Sequence, residues 1–201
     1  MALFSFNNIG ISGISGAVPK NIIDNYEHDL FFSKEEVKDV VDKIGVEQRR
    51  FADDNTCASD LCFAAAEDLL NGMGVNRDEI DLLIFISQTP DYRMPATSII
   101  LQSRLNLPKS AIAFDISLGC SAFLYGLSVA YSMIASGAVK KALILDGETR
   151  SKVYSQKDRK TAFLFGDAGV AALIERNEKF GTSWFSLNSD GERGHQQLHH
   201  H

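Results

Sequence analysis

The sequence predicts an α/β fold in which helices flank a mainly parallel sheet. Two short, almost wholly apolar runs, at residues 82–86 and 111–116, have the composition of strands that are covered on both faces. Stretches with apolar residues at helical spacing lie between such runs, and glycine follows most of them. Strands that alternate with helices favour right-handed crossover connections, which set neighbouring strands parallel to one another.

The chain is expected to open with a strand, a turn and a helix. Residues 9–18 are apolar and punctuated by glycine, and Pro19 ends them, which indicates a strand followed by a turn. Ser33 and Glu36 have the spacing of a capping box, so a helix is expected to begin there. Gly45 is expected to stop that helix.

A second helix and the first buried strand follow. Ser59 is the expected cap of the helix, and its end is expected at Gly72 or Gly74. Cys62 falls on the apolar face, so we expect it to be a core residue. The apolar run at 82–86 is the next strand.

The second half of the chain continues the alternation. Pro95 fits the first turn of a helix that reaches Leu105. A long helix is expected from Cys120 to Ser136, where Gly137 stops it. Three strands complete the pattern, at residues 111–116, 142–145 and 169–174.

Length, charge and composition exclude several classes of protein. The chain has 201 residues and a net charge of −6, and 45% of its residues are hydrophobic. Ordinary composition argues against disorder, and mild acidity gives no reason to expect nucleic acid as a partner. No apolar run approaches the roughly 18 residues of a membrane span, and no signal peptide opens the chain. A cytoplasmic protein without a membrane span is therefore expected.

The histidines and the chain end suggest the extent of the domain. His199, His200 and His201 form a terminal run, so residues 196–201 are interpreted as the remnant of a purification tag. No linker or repeat divides the rest of the chain. Residues 1–190 are therefore predicted to form one domain.

The segment 115–123 carries the sharpest candidate for chemistry. Cys120 lies where a predicted strand turns into the long helix, and Gly119 permits a tight turn. A thiol at a helix N-terminus lies near unpaired backbone N–H groups and the positive end of the helix dipole, which favour the nucleophilic thiolate. The alternative is a buried structural cysteine, which is what most free cysteines are.

The other two cysteines have simpler explanations. Cys57 precedes the expected helix cap, so an exposed loop thiol is the default, and Cys62 is expected in the core. An odd number of cysteines without close CxxC spacing argues against a disulfide scaffold and against a metal site. No metal is therefore expected.

A series of motifs resembles the beta-ketoacyl-acyl carrier protein synthase III family of condensing enzymes. They are similar to the family's G-I-x-x-R-R, T-P-D-Y-x-x-P, nucleophile, E-T, D-R-x-T and F-G-D segments, and they stand in the family's order. In this chain they are residues 45–50, 89–95, 115–127, 147–149, 158–161 and 165–169.

This resemblance implies a thiolase-like fold and a division of labour between two halves. The intact family has two similar halves in an αβαβα sandwich, with a catalytic cysteine from the first half and a histidine and an asparagine from the second. Cys120 takes the place of that cysteine. Residues 1–190 then correspond to the N-terminal half with the C-terminal half absent, and we expect the chain to be inactive alone.

The resemblance also implies three substrate-binding positions. Arg159 matches a residue on the adenine side of bound coenzyme A, and Phe123 belongs to the nucleophile segment. Met94 matches the position from which a dimer partner's loop reaches the acyl pocket, although a packed interface residue is the alternative. The family's usual Trp and Arg before residue 45 are missing, where Lys38 and Lys43 stand. Acyl-coenzyme A and the phosphopantetheine of an acyl carrier protein therefore both remain possible donors, and no tightly bound cofactor is expected.

Three functional hypotheses follow from these observations. The first is a homodimeric acyltransferase in which Cys120 forms an acyl-thioester that condenses with malonyl-acyl carrier protein by decarboxylation, as in fatty acid biosynthesis. The second keeps the acyl-cysteine but passes the acyl group to an oxygen or nitrogen acceptor. The third is a non-catalytic fragment or interaction module.

Overall fold

The computed structural model describes residues 2–28 and 31–192, which form nine strands and four α-helices. The predicted tag remnant at 196–201 lies outside these residues. The strands are β1 (Ala2–Asn7), β2 (Ile9–Ala17), β3 (Asn21–Asp24), β4 (Gln48–Phe51), β5 (Leu82–Ile86), β6 (Ile112–Ile116), β7 (Lys141–Thr149), β8 (Asp167–Arg176) and β9 (Thr182–Leu187). The helices are α1 (Lys34–Ile44), α2 (Ala58–Met73), α3 (Thr97–Arg104) and α4 (Ala122–Ala135).

Five strands form the central sheet in the order β2-β8-β7-β5-β6. Strand β5 pairs in parallel with both β6 and β7, whereas β8 pairs antiparallel with both β7 and β2. Four of the five strands, β2, β5, β6 and β7, therefore run in one direction, so the prediction of a mostly parallel sheet is confirmed, with β8 as the exception. The connection from β7 to β8 contains no α-helix to carry the chain back across the sheet, so the chain returns in the opposite direction.

Helices cover both faces of this sheet. On one face, apolar side chains of α2 pack against alternate residues of β5, β7 and β8, such as Leu83, Leu143 and Leu173. On the other face, α4 packs against the intervening residues, such as Ile84 and Ile144. All five residues of β5 are buried, as its continuous apolar run predicts. The result is an α/β/α layer arrangement, with the carboxyl ends of β5, β6 and β7 at one edge.

Two small antiparallel ribbons were not predicted from the sequence. Strand β1 pairs with β9, and its Phe4 and Phe6 join Phe185 and Tyr131 in an aromatic cluster on the α4 side. Strand β3 pairs with β4 beside α1. Because the paired strands are far apart in sequence, no local signal links them.

Most helix boundaries match the predicted ones. Ser33 and Glu36 form the predicted capping box of α1, and Gly45 ends that helix in a left-handed conformation with φ 71°. Helix α2 begins two residues earlier than predicted, because Cys57 and not Ser59 is its N-cap. Pro95 lies two residues before the first residue of α3 and not within its first turn.

Strand β6 is less buried than its apolar sequence predicts. It stands at the edge of the sheet, and Ile112 is 42% exposed. The charged residue of this strand, Asp115, has a structural role at the start of α3. Its carboxylate accepts hydrogen bonds from the backbone N–H groups of Thr97 and Ser98 and so caps α3.

Glycine permits unusually close contact between α2 and the sheet. A β-carbon added to Gly169 of β8 would lie 2.4 Å from the backbone nitrogen of Cys62 and 2.5 Å from the carbonyl carbon of Leu61. Real β-carbons do not approach backbone atoms this closely. The absent side chain therefore sets the distance between α2 and β8.

Candidate active site

A cleft of about 560 Å³ opens at the carboxyl ends of the parallel strands. Ile86 of β5, Asp146 of β7 and the turn that follows β6 all contribute to its lining. The carboxyl edge of the parallel strands is where open α/β sheets usually bind ligands. Cys120, the strongest candidate from the sequence, lines this cleft.

Cys120 lies in the turn between β6 and α4. The turn closes with a hydrogen bond of 2.8 Å from the Ala122 backbone nitrogen to the Gly119 carbonyl oxygen. Helix α4 begins at Ala122, two residues after the cysteine, so the thiol lies beside the first turn of the helix. Cys120 is exposed to solvent. It is therefore not the buried structural cysteine that the alternative interpretation required.

Glycine also brings α4 close to the sheet beneath this turn. A β-carbon on Gly126 would lie 2.7 Å from the Cδ1 atom of Ile86. This contact holds the first turn of α4 over β5. Phe123, on that first turn, consequently lines the same cleft as Cys120.

Glu148 joins β7 to the loop that follows β5. Its carboxylate accepts hydrogen bonds from the Gln88 backbone N–H at 2.8 Å and from the Thr89 hydroxyl at 2.7 Å. It also lies 3.5 Å from Nε of Arg150, which itself donates to the Tyr154 hydroxyl. The Gln88 side chain lies near the turn that contains Cys120. Its amide nitrogen would be 3.8 Å from a β-carbon added to Gly119.

Asp146 differs from Glu148 although both carboxylates line the cleft. Among the described residues, no hydrogen bond to the Asp146 side chain is found. Its register partners are Ile86 on one side and Val170 on the other, both apolar. Burial, and secondarily the negative charge of Glu148, raises the pKa of Asp146 to about 6.

The motif at residues 45–50 supports the wall of this cleft. Nε of Arg49 donates to the Asn25 side chain at 2.7 Å, and Nη1 donates to the carbonyl oxygen of Phe165 at 3.1 Å. Phe165 lines the Cys120 cleft. Burial lowers the pKa of Arg49 to about 10, and the negative charge of Asp167 opposes this shift.

Asp167, the first residue of β8, connects separate segments of the chain. It is buried, and its carboxylate accepts hydrogen bonds from the backbone N–H groups of Ala52 and Ser151 and from the Ser151 hydroxyl. These bonds join three segments of the chain behind the cleft. Asp167 therefore has a structural, hydrogen-bonding role among the described residues.

Two sequence-predicted substrate residues lie outside the Cys120 cleft. Arg159 lines a second cleft of about 270 Å³ together with Lys43 and Lys160, and its guanidinium lies 3.3 Å from Asp39. Met94 lies on the loop between β5 and α3 and is 88% exposed. The structure thus brings Cys120 and Phe123 together and places Arg159 and Met94 elsewhere on the surface.

The described residues place no histidine beside Cys120. His28 lines a separate cleft, where its Nε2 is 2.9 Å from the Gln156 side-chain oxygen. The ring also packs edge-on against Phe51 and Phe163. His195 and the terminal histidines lie outside the described residues. Among the residues that line the Cys120 cleft, Asp146 has a raised pKa, of about 6.

Sequence reasoning did not assign Gln88, Asp146 or Arg150 to the site. Each follows the apolar part of β5 or β7, and the carboxyl ends of parallel strands meet at one edge. That rule could have drawn attention to them. Which of them face α4 depends on strand register, and the sequence alone does not provide it.

Neither a cluster of metal ligands nor a helix that could span a membrane is found in the described part of the chain. It contains no group of three or more histidine, cysteine, aspartate or glutamate side chains that could hold a metal ion. Among the same residues, no helix is both long and apolar enough to cross a membrane.

The chain is similar to a family model, to curated relatives and to solved structures. Residues 114–191 match the family model described as 3-oxoacyl-[acyl-carrier-protein (ACP)] synthase III. The chain is 40% identical over 190 residues to a putative 3-oxoacyl-[acyl-carrier-protein] synthase 3 of Campylobacter jejuni, an alignment covering 93% of this chain and 53% of the relative. It is 36% identical over 188 residues to a beta-ketoacyl-[acyl-carrier-protein] synthase III of Desulfitobacterium hafniense, covering 93% and 56%. The chain thus spans about half the length of these curated relatives.

Solved structures show the same relationship. A 3-oxoacyl-(acyl-carrier protein) synthase from Burkholderia xenovorans superimposes with a TM-score of 0.93 at 41% identity, covering 96% of this chain and 56% of that one. A 3-oxoacyl-[acyl-carrier-protein] synthase III from Aquifex aeolicus gives a TM-score of 0.77 at 32% identity, covering 85% and 54%. The fold is therefore thiolase-like. The resemblance to the beta-ketoacyl-acyl carrier protein synthase III family of condensing enzymes is confirmed by the family model, the relatives and the solved structures together.

Proposed function

We propose that the intact protein is a 3-oxoacyl-acyl carrier protein synthase III-like acyltransferase, with Cys120 as its nucleophile. One observation carries the proposal: an exposed cysteine lies at the start of α4, inside a cleft at the carboxyl edge of the parallel strands. Relatives named beta-ketoacyl-[acyl-carrier-protein] synthase III support the reaction class. Of the three cysteines, Cys62 is buried in the core, and Cys57 is the N-cap of α2.

The chemistry uses the position of the thiol. The Cys120 sulfur attacks the carbonyl carbon of an acyl-thioester, and the carrier thiol leaves as the acyl-cysteine forms. Backbone N–H groups in the first turn of α4 are the natural donors to the transient oxyanion. A malonyl unit on an acyl carrier protein then loses carbon dioxide, and its carbanion attacks the acyl-cysteine to release a 3-oxoacyl product.

The second step needs groups that the described residues do not place beside Cys120. We propose that a histidine and an asparagine from a second, similar half supply them, so that this chain is inactive alone. Residues 1–190 are accordingly proposed as one N-terminal thiolase-like half of an αβαβα sandwich. Exposed apolar side chains that line the cleft, such as Ile14 at 60% and Leu118 at 41%, support a covering partner.

We propose acyl-coenzyme A or the phosphopantetheine of acyl carrier protein as the acyl donor, with no tightly bound cofactor. The cleft beside α1 supports a role for Arg159 near the donor's phosphates, because Lys43 and Lys160 line it too. Asp39 pairs with both Arg159 and Lys43, so a bound phosphate would compete with that carboxylate.

A homodimer is also part of the proposal. Strand β6 leaves one edge of the central sheet unpaired among the described residues, and Met94 is highly exposed on a neighbouring loop. An edge strand invites pairing with another chain, which would let Met94 reach a partner's acyl site. A cytoplasmic location is proposed with it, because the three free thiols suit a reducing compartment.

Release of carbon dioxide distinguishes condensation from transfer to an oxygen or nitrogen acceptor. We expect the intact protein to release carbon dioxide from malonyl-acyl carrier protein when an acyl donor is present, and the Cys120→Ala variant to lose the coupled 3-oxoacyl product. Acylation of Cys120 without malonyl-dependent product would favour an oxygen or nitrogen acceptor. Absence of both reactions would favour a non-catalytic interaction module.

A further inference from the structure

The Cys120 cleft contains a carboxylate, that of Asp146, which has no role in the proposed reaction. Glu148 accepts bonds from Gln88 and Thr89 and lies close to Arg150, so its charge is compensated within the protein. Asp146 stands two residues earlier on the same strand and lines the same cleft. Within residues 2–28 and 31–192, no donor reaches its side chain.

The residues that flank Asp146 on both neighbouring strands are apolar. Ile86 and Val170 are its neighbours on the adjacent strands, and Phe123 faces the cleft from α4. Asp146 is half-buried, so a chain that fills the cleft removes solvent from its carboxylate, and a donor on that chain offsets the resulting cost in free energy. An unsubstituted alkyl chain would leave the carboxylate desolvated and unpaired.

We infer that Asp146 is a specificity-determining residue that selects acyl chains carrying a hydrogen-bond donor, a hydroxyl or an amine, over plain alkyl chains. The inference rests on the proposed function, because it assumes that an acyl group bound at Cys120 extends along this cleft. It adds the substrate class that the site prefers. The donor would be held by Asp146 while the apolar side chains contact the rest of the chain.

Because Asp146 is partly buried, its preference for a hydroxyl-bearing or an amine-bearing acyl chain depends on pH. Burial raises the pKa of Asp146 to about 6, and Glu148 contributes to the same shift. Arg150 is the cation that faces this pair within the cleft. Above about pH 6 the ionised carboxylate accepts a bond from either donor, and an amine, being charged, gains additional attraction.

The test measures binding without reaction. The intact protein with Cys120→Ala would be titrated calorimetrically with pantetheine thioesters of butyrate, 3-hydroxybutyrate and 3-aminobutyrate at pH 7.5. We expect 3-hydroxybutyryl to bind roughly tenfold more tightly than butyryl, the effect of one hydrogen bond to a charged group, and 3-aminobutyryl to bind more tightly still. Adding Asp146→Leu should abolish the preference and tighten butyryl binding, and Asp146→Asn should reduce the preference. Glu178→Gln, an exposed carboxylate outside the cleft, is the matched control and should leave it unchanged.

Each outcome separates this inference from the proposed function. Equal binding of all three thioesters would overturn the inference, and so would a preference that survives Asp146→Leu, even if Cys120 is acylated in the unmodified protein. Failure of all three thioesters to bind would also overturn it. The proposed function fails only if Cys120 of the unmodified protein takes no acyl group either.

Discussion

Three cysteines with the same intrinsic chemistry lie in three different environments in this chain. Cys62 lies on the buried face of α2, and burial raises the pKa of its thiol. Cys57 is partly buried at the N-terminus of the same helix, and burial again raises its pKa. Cys120 is the exposed one and opens into the cleft. Environment, and not residue type, therefore marks the candidate nucleophile.

The raised pKa of Asp146 makes a prediction about stability. Its pKa is 3.8 in the unfolded chain and about 6 in the fold, so the folded protein binds the proton more tightly. Folded stability from this group is therefore present below pH 3.8 and is lost as the pH rises through about 6. We expect the unfolding free energy of the wild type, relative to Asp146→Asn, to fall between pH 4 and pH 7. Urea unfolding at the two pH values measures it.

Comparison of two variants makes this measurement specific. Glu178→Gln also removes one carboxylate, but from an exposed position, and it should follow the wild-type pH profile. A difference between wild type and Asp146→Asn that stays constant from pH 4 to pH 7 would show that the fold does not perturb this carboxyl.

The position of Cys120 could be predicted from sequence, whereas the role of Asp146 could not. A strand, a glycine turn and a helix are local features, and they place the cysteine at a helix N-terminus. The orientation of Asp146 depends on the pairing of β7 with β5 and β8, which are non-local contacts. The same limit applies to Gln88, whose backbone is held by Glu148, 60 residues away in sequence.

At the scale of elements, glycine determines how closely α2 approaches the sheet. A β-carbon on Gly169 would overlap the α2 backbone at Leu61 and Cys62. Because backbone atoms of a helix cannot rotate away as a flexible side chain can, we expect Gly169→Ala to lower the unfolding free energy by about 2–3 kcal/mol. Chemical denaturation followed by circular dichroism measures this loss.

Gly72→Ala is the matched control for this substitution. Gly72 lies in α2 itself, is exposed, and has no atom within 4 Å of an added β-carbon. The same change should there raise the unfolding free energy by about 0.5–1 kcal/mol, because alanine is the better helix former. Similar effects at both glycines would show that α2 does not depend on close contact with β8.

Elements with a local signal were predicted well, and elements without one were missed. Helix α1 has its capping box and its C-terminal glycine where the sequence predicts them. Strands β1 and β9 escaped prediction because each is stabilised by the other across almost the whole chain, with Ala2 opposite Leu187. The cap of α2 was misplaced because a serine is the stronger cap former, yet Ser59 instead bonds to Asp91 through its hydroxyl.

At the scale of the whole molecule, the α/β class and the mostly parallel sheet were predictable, but the direction of β8 was not. Alternation of apolar runs and helices predicts parallel pairing, and β5, β6 and β7 follow that rule. The antiparallel position of β8 follows from a connection, residues 150–166, that contains no α-helix. The parallel strands β5, β6 and β7 form the cleft. Its place at their carboxyl ends was therefore predictable, although the direction of β8 was not.

The most direct test of the account is the identity of the residue that carries the acyl group. The intact protein would be incubated with acyl-coenzyme A, digested and analysed by mass spectrometry, with Cys120→Ala treated in parallel. We predict an acyl adduct on the peptide that contains Cys120 in the wild type, and no adduct in Cys120→Ala. An acyl adduct that persists in Cys120→Ala, or one carried by Cys57 or Cys62, would contradict the assignment of Cys120 as the nucleophile.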